Sequence, residues 1–193
     1  MRNSVPTLLV AVADDTAIVK VNGRANFTVS VNFKRVVGEL SQTGFSQFVL
    51  DLSHCVTMDS TFLGVLAATV LTCSQGTSNA AQTRTGNQNH DAQFRLLNPN
   101  QRVADLLENL GIAELFQTMH CDVPPSLDQG LSPADDAAPS REELFQACLE
   151  AHQTLMQLNP ANIAKFKDVA QFLVEDLKKL RSQREELRDQ SHQ

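Results

Sequence analysis

The chain reads as an α/β protein: a sandwich of helices on a mixed sheet, followed by a C-terminal helical hairpin. Three observations lead there. Short β-rich runs alternate with segments whose apolar residues recur at helical spacing. Residues 122–140 hold four of the seven prolines and read as a linker. Beyond the linker, two apolar stripes flank Asn159-Pro160, and the second repeats in heptads.

The elements follow in order. Thr7–Val12 and Ala17–Val21 are β-rich runs with Asp14 and Asp15 between them as turn residues, so the pair predicts a hairpin. Phe33, Val36, Val37 and Leu40 form one apolar helical face that stops before Gly44. Phe48–Leu52 is a short, mostly apolar run, as a buried parallel strand requires. From Thr61 to Cys73 the chain is apolar nearly all round, which predicts a buried helix. Residues 74–92 contain no Val, Ile, Leu, Met or Phe and read as a flexible insertion. Phe94–Leu97 predicts a strand, with Asn98 as N-cap and Pro99 as first residue of the next helix. That helix carries Val103, Leu106, Leu107 and Leu110 on one face and ends at Gly111. Ala113–Met119 reads as one more short helix, and the domain closes near Cys121.

After the linker, Ser140 and Glu143 form a capping box for a helix to about Leu158. Its apolar stripe is Leu144, Ala147 or Cys148, Ala151, Leu155 and Leu158. Asn159-Pro160 breaks it, and a second helix continues to about Arg188. There Ile163, Ala170, Leu177 and Arg184 share one heptad position, with Phe166, Leu173, Leu180 and Leu187 three residues later. This seam over 163–187 can pack within the chain or pair with another copy as a homo-oligomer.

Composition removes several functions. No run approaches the roughly 18 apolar residues that a membrane-spanning helix needs, so direct membrane insertion is not expected. Lys and Arg do not cluster: residues 1–121 carry 8 basic and 9 acidic groups, and residues 141–193 carry 8 and 9 again. The remaining four Asp sit in the linker, so the net charge of −6 belongs mostly to a connector and no nucleic-acid face is predicted. With no Trp and no Tyr, aromatic stacking sites are also disfavoured. No Gly-rich phosphate loop occurs. Cys55, Cys73, Cys121 and Cys148 suggest no disulfide framework, and reduced thiols of a cytoplasmic protein account for them. His54-Cys55 and His120-Cys121 lack metal-ligand spacing. No metal, cofactor or catalytic group is predicted, and the chain reads as non-enzymatic.

One segment resembles a known family. Phe48–Ser53, then Val56-Thr57-Met58-Asp59-Ser60-Thr61-Phe62-Leu63-Gly64, is similar to the buried strand, short loop and Asp-Ser-Ser-Gly-x-Gly helix start of the STAS domain. That family includes bacterial anti-sigma factor antagonists and sulphate-transporter tails. Phe94–Leu97, Asn98-Pro99, Leu110-Gly111-Ile112 and Leu115-Phe116 extend the resemblance over roughly residues 7–120.

The resemblance implies a STAS-like regulatory module that binds protein partners, with Ser60 phosphorylated by a serine kinase that doubles as anti-sigma factor. Thr61 occupies the second hydroxyl position. A phosphate at a helix N-terminus meets free N–H groups and the positive end of the helix dipole, so the domain can carry it. On a contact surface it adds about −1.5 to −2 charges, enough to repel a partner. The simpler role for Asp59, Ser60 or Thr61 is as N-cap, worth about 1 kcal/mol. Phe62 replaces the family glycine and is either an exposed partner anchor or a core side chain. Asn26 stands where the family often has Asp and is either a contact or a turn residue. The partner surface thus implied comprises Asn26, Asp59, Ser60, Thr61, Phe62 and Gly64. A second function fits the same sequence: a static adaptor or assembly subunit, such as a soluble subunit of a transport complex, working through its C-terminal helices.

Overall fold

Asp14, with a left-handed φ of 53°, turns the chain between β1 (Thr7–Ala13) and β2 (Thr16–Ala25), which pair antiparallel as the sequence predicts. The computed structural model describes residues 6–80, 93–121, 130–134 and 137–190. In it β2 is longer than its apolar run and changes partners along its length. Thr16–Lys20 pair in parallel with β3 (Gln47–Asp51), and Gly23–Ala25 pair in parallel with β4 (Cys55–Met58). The exchange is made at a bulge between Gly23 and Arg24, where Gly23 takes a φ of 78°. Four residues are too few to show a periodicity, so β4 is absent from the sequence reading.

The main sheet runs in the order β6 (Gln117–Met119), β5 (Gln93–Leu97), β3, β2, β1 and β7 (Ser132–Pro133), with β4 added on β2. Strands β2, β3, β5 and β6 are parallel, and the hairpin supplies the antiparallel side. Parallel neighbours need crossovers, here α1 (Phe27–Gln42), α2 (Ser60–Ala80) and α3 (Gln101–Leu110). This is the expected mixed-sheet α/β sandwich.

Four local expectations are corrected. Helix α2 continues to Ala80, into the segment read as a flexible insertion; residues 81–92 lie outside the described residues. The N-cap of α3 is Asn100, whose side chain accepts from the Val103 N–H, and not Asn98. Asn98 instead sits at φ 53° and clips the chain by hydrogen bonds to the Cys121 backbone and the Ser53 hydroxyl. Ala113–Met119 is a 3-10 turn (Ala113–Leu115) followed by β6. Finally, the linker is not structureless throughout, since Ser132–Pro133 (β7) pairs with β1; residues 122–129 and 135–136 lie outside the described residues.

The C-terminal hairpin forms as expected. Ser140 and Glu143 make the reciprocal capping box of α4 (Arg141–Leu158), and α5 (Ile163–Gln190) follows a 3-10 turn at Pro160–Asn162. It packs within the chain. Ala147, Ala151 and Leu155 join the main core beside Leu63, Leu66 and Phe62, so α4 lies on α2 and α1. Its other side meets α5 in a separate cluster of Leu149, Ala170 and Leu177, flanked by Phe145, Met156, Leu173 and Val174. Ile163, counted in the heptad seam, is instead exposed, with Val169 and Phe172.

Candidate functional site

The C-terminal ends of β2 and β4 deliver two helix starts side by side, and Asp59 joins them. Its backbone N–H donates to the Ala25 carbonyl at 2.9 Å, which continues the β2–β4 ladder by one residue. One carboxylate oxygen accepts from the Phe62 N–H at 2.8 Å and caps α2. The other accepts from the Phe27 N–H at 2.9 Å, satisfying a free amide in the first turn of α1. Asn26 completes the start of α1 by accepting from the Thr28 N–H at 3.2 Å. Its role here is an N-cap, which uses its side-chain oxygen inside the fold.

Ser60 is the first residue of α2 and is half-buried rather than open to solvent. Its Oγ lies 3.0 Å from Nε2 of His152 on α4. The Thr61 hydroxyl donates to the Cys148 thiol, one helical turn before His152, at 3.5 Å. Gly64 completes the seam: a methyl group there would meet Ala151 Cβ at 2.7 Å, so only glycine permits this helix approach. Phe62 turns the other way. It is 0% exposed and tilts against Phe33 at 5.2 Å between ring centres, so the role of exposed anchor is corrected to core residue. Gly64 likewise faces α4 and presents nothing to a partner in this arrangement.

His152 is the residue that the sequence reading missed. It falls one turn after Cys148 and three residues before Leu155, on the same apolar stripe of α4, and that spacing was its available signal. It is only 5% exposed, stacks obliquely on Phe166 at 4.8 Å, and its Nδ1 is buried without a partner in hydrogen-bonding geometry. Burial pushes its pKa below the ordinary histidine range, while the Cys148 carbonyl and the Asp59 carboxylate pull the other way. The Cys148 thiol is pushed up, chiefly by burial. At neutral pH both groups are therefore uncharged, as a tight helix contact demands.

At the rim, Lys34 of α1 pairs with Glu150 of α4 at 2.7 Å, and Arg35 pairs with Glu143 at 3.4 Å. These exposed pairs are screened by solvent and contribute little to stability. Cys55 is buried with its thiol toward the Thr57 carbonyl, whereas Cys121 is exposed. Among the described residues no three His, Cys, Asp or Glu side chains come together as metal ligands, and no helix is long and apolar enough to cross a membrane.

The geometry thus defines a mixed-sheet α/β domain with a capped serine at a helix start, the arrangement that the sequence motif implies. Several solved structures similar to it are described as anti-sigma factor antagonists. One from Thermotoga maritima, described as putative, shares 20% identity over 63% of this chain and 92% of its own, with a TM-score of 0.46. One from Mycobacterium paratuberculosis shares 17% over 65% and 94%, also at 0.46. The antagonist SpoIIAA in its unphosphorylated form shares 14% over 63% and 94%, again at 0.46. No protein-family model matches the chain, and no curated protein matches it.

Proposed function

We propose that this chain is a non-enzymatic regulatory module of the anti-sigma factor antagonist type, acting by reversible protein binding around Asn26, Asp59 and Ser60. The observation that carries the reading is the double cap of Asp59, which holds two helix starts together with Ser60 as the first residue of one of them. Two positive dipole ends beside one hydroxyl suit a phosphoserine. The phosphoryl group would pass from a nucleoside triphosphate to Ser60 Oγ, with the hydroxyl proton released and the nucleoside diphosphate leaving. The partner is a serine kinase that doubles as anti-sigma factor, and the setting is cytoplasmic. Thr61 is the alternative acceptor, disfavoured by its burial and its bond to Cys148.

The Ser60–His152 distance also suits a nucleophile and its base. Against that reading, His152 is almost fully buried and the close Gly64–Ala151 contact shuts the seam beside it, which leaves a substrate no approach. Incubation with serine kinases of the same genome, followed by mass spectrometry, tests the proposal. Phosphate on Ser60 is the expected result. Its absence from both Ser60 and Thr61, together with unchanged partner binding in Ser60→Asp, removes the switch.

The alternative of an adaptor or assembly subunit would work through α5, where Ile163, Val169 and Phe172 are exposed, with Phe172 at 66%. Sedimentation of the whole chain decides it. A homo-oligomer that Phe172→Asp dissolves supports an assembly role, and a monomer at every concentration rejects self-assembly through α5.

A further inference from the structure

The α4–α5 hairpin sits on the side of α2 where Ser60, Thr61 and Gly64 emerge, the surface that the reading above assigns to a partner. We propose that this hairpin is a built-in occupant of the Ser60 surface, a self-docked cover that an incoming protein must displace and that a phosphoryl group on Ser60 drives off. The part of this inference that concerns phosphate rests on the proposed function; the cover itself does not.

Three features make α4 an occupant with the character of a docked ligand. First, its contacts answer the α2 surface group for group. His152 meets the Ser60 hydroxyl, Cys148 meets the Thr61 hydroxyl, and Ala151 meets the bare backbone of Gly64. Second, the hairpin has a cluster of its own, Leu149 with Ala170 and Leu177, separate from the main core. That cluster can hold the two helices together, whereas leaving α2 requires Ala147, Ala151 and Leu155 to come out of the main core and Asn162 to give up the Leu110 carbonyl. Third, the chain between the domain and α4 is a proline-rich linker, so release costs no covalent bond and re-docking is intramolecular.

The same contacts explain why phosphate is incompatible with the cover. The Gly64–Ala151 approach leaves no space between the two backbones, so a group inserted at Ser60 must part the helices. The Ser60 and His152 atoms are already at hydrogen-bond distance, with no room between them for a phosphoryl group. The added charge would also stand beside Asp59 and face a helix that carries Glu150. A single imidazole, even protonated, balances only part of that charge. A free Ser60 therefore belongs to the covered protein and a phosphorylated Ser60 to the open one.

The test uses the full chain in four forms: unmodified, with phosphoserine installed at position 60, Gly64→Leu, and Ala151→Leu. The readouts are amide hydrogen exchange over residues 141–158 and in β3 and β5, and the rate of N-ethylmaleimide alkylation at Cys148, located by peptide mass spectrometry. The expected result is an increase of about tenfold or more at α4 and at Cys148 in all three altered forms, with β3 and β5 still protected. Protection lost in the sheet together with α4, in both leucine variants, overturns the cover by showing the hairpin to be an inseparable part of the core. Phosphoserine at position 60 that leaves α4 exchange unchanged, or slows it, overturns the release. If instead no kinase phosphorylates Ser60 while the leucine variants open, the switch reading fails and the cover stands.

Discussion

Asp59 concentrates more structure than any neighbouring side chain, because one carboxylate serves the first turns of two helices. Removing it in Asp59→Ala leaves the Phe62 and Phe27 amides without acceptors. The expected cost is about 1–3 kcal/mol of unfolding free energy, read by calorimetry, and Asp59→Asn should lose less because its oxygen can still cap. His152 sets a second expectation, in pH. Its folded pKa lies below the unfolded value, so between the two the unfolded chain binds the extra proton. Its contribution is complete above about 6.5 and is lost as pH falls toward the depressed folded value. Asp59 is the charged group facing it, with Ser60 from α2, Cys148 from its own helix and the Phe166 ring from α5 around it. Denaturant midpoints measured at pH 7.5 and 5.5 should fall less in His152→Gln than in the unmodified chain. Equal falls would place the pH dependence elsewhere.

Elements differ in how far local chemistry determines them. The glycines show it best. Gly38 lies within α1 with nothing within 4 Å of an added methyl, so Gly38→Ala should stabilise by about 0.5–1 kcal/mol. Gly111 ends α3 at φ 68° with Asn159 against it, so Gly111→Ala should destabilise. Thermal midpoints moving in opposite directions check the pair. The sequence made α4 and α5 legible through the Ser140–Glu143 box, the Asn159-Pro160 break and the heptads. It misplaced the start of α3 because Asn98 and Asn100 are equally good caps by residue type. Only Asn100 is positioned to accept from Val103, while the positive φ of Asn98 takes it off the helical path. The strands β4 and β6 escaped detection because they are four and three residues long. The bonds that define them come from β2 and β5, which are distant in sequence.

At the scale of the molecule, the domain and the hairpin are joined by α4. Leu155 is fully buried in the main core, and Asn162, also fully buried, donates to the carbonyls of Leu110 at the end of α3 and of Leu155. Leu155→Ala should cost about 2–5 kcal/mol, measured by urea unfolding, and should weaken α4 protection before that of the sheet. A loss confined to the sheet would contradict the packing described here. The partition of charge fits this arrangement. The linker is acidic, whereas Lys34 and Arg35 on α1 receive Glu150 and Glu143 of α4 at the rim.

Resemblance to the STAS motif pointed to Ser60, whereas the sequence by itself determined the α/β class, most of the helices, the Ser140–Glu143 capping box and the hairpin. Each of these depends on periodicity or on hydrogen bonds between residues a few positions apart. The tertiary structure decided what that serine meets. His152 lies 92 residues away, and neither residue carries a local signal for the other. Their pairing follows from a glycine on one helix and an alanine on another that allow two backbones to approach. It also decided that Phe62 belongs to the core, since a phenylalanine at a helix start has no inward direction until a sheet is placed beneath it.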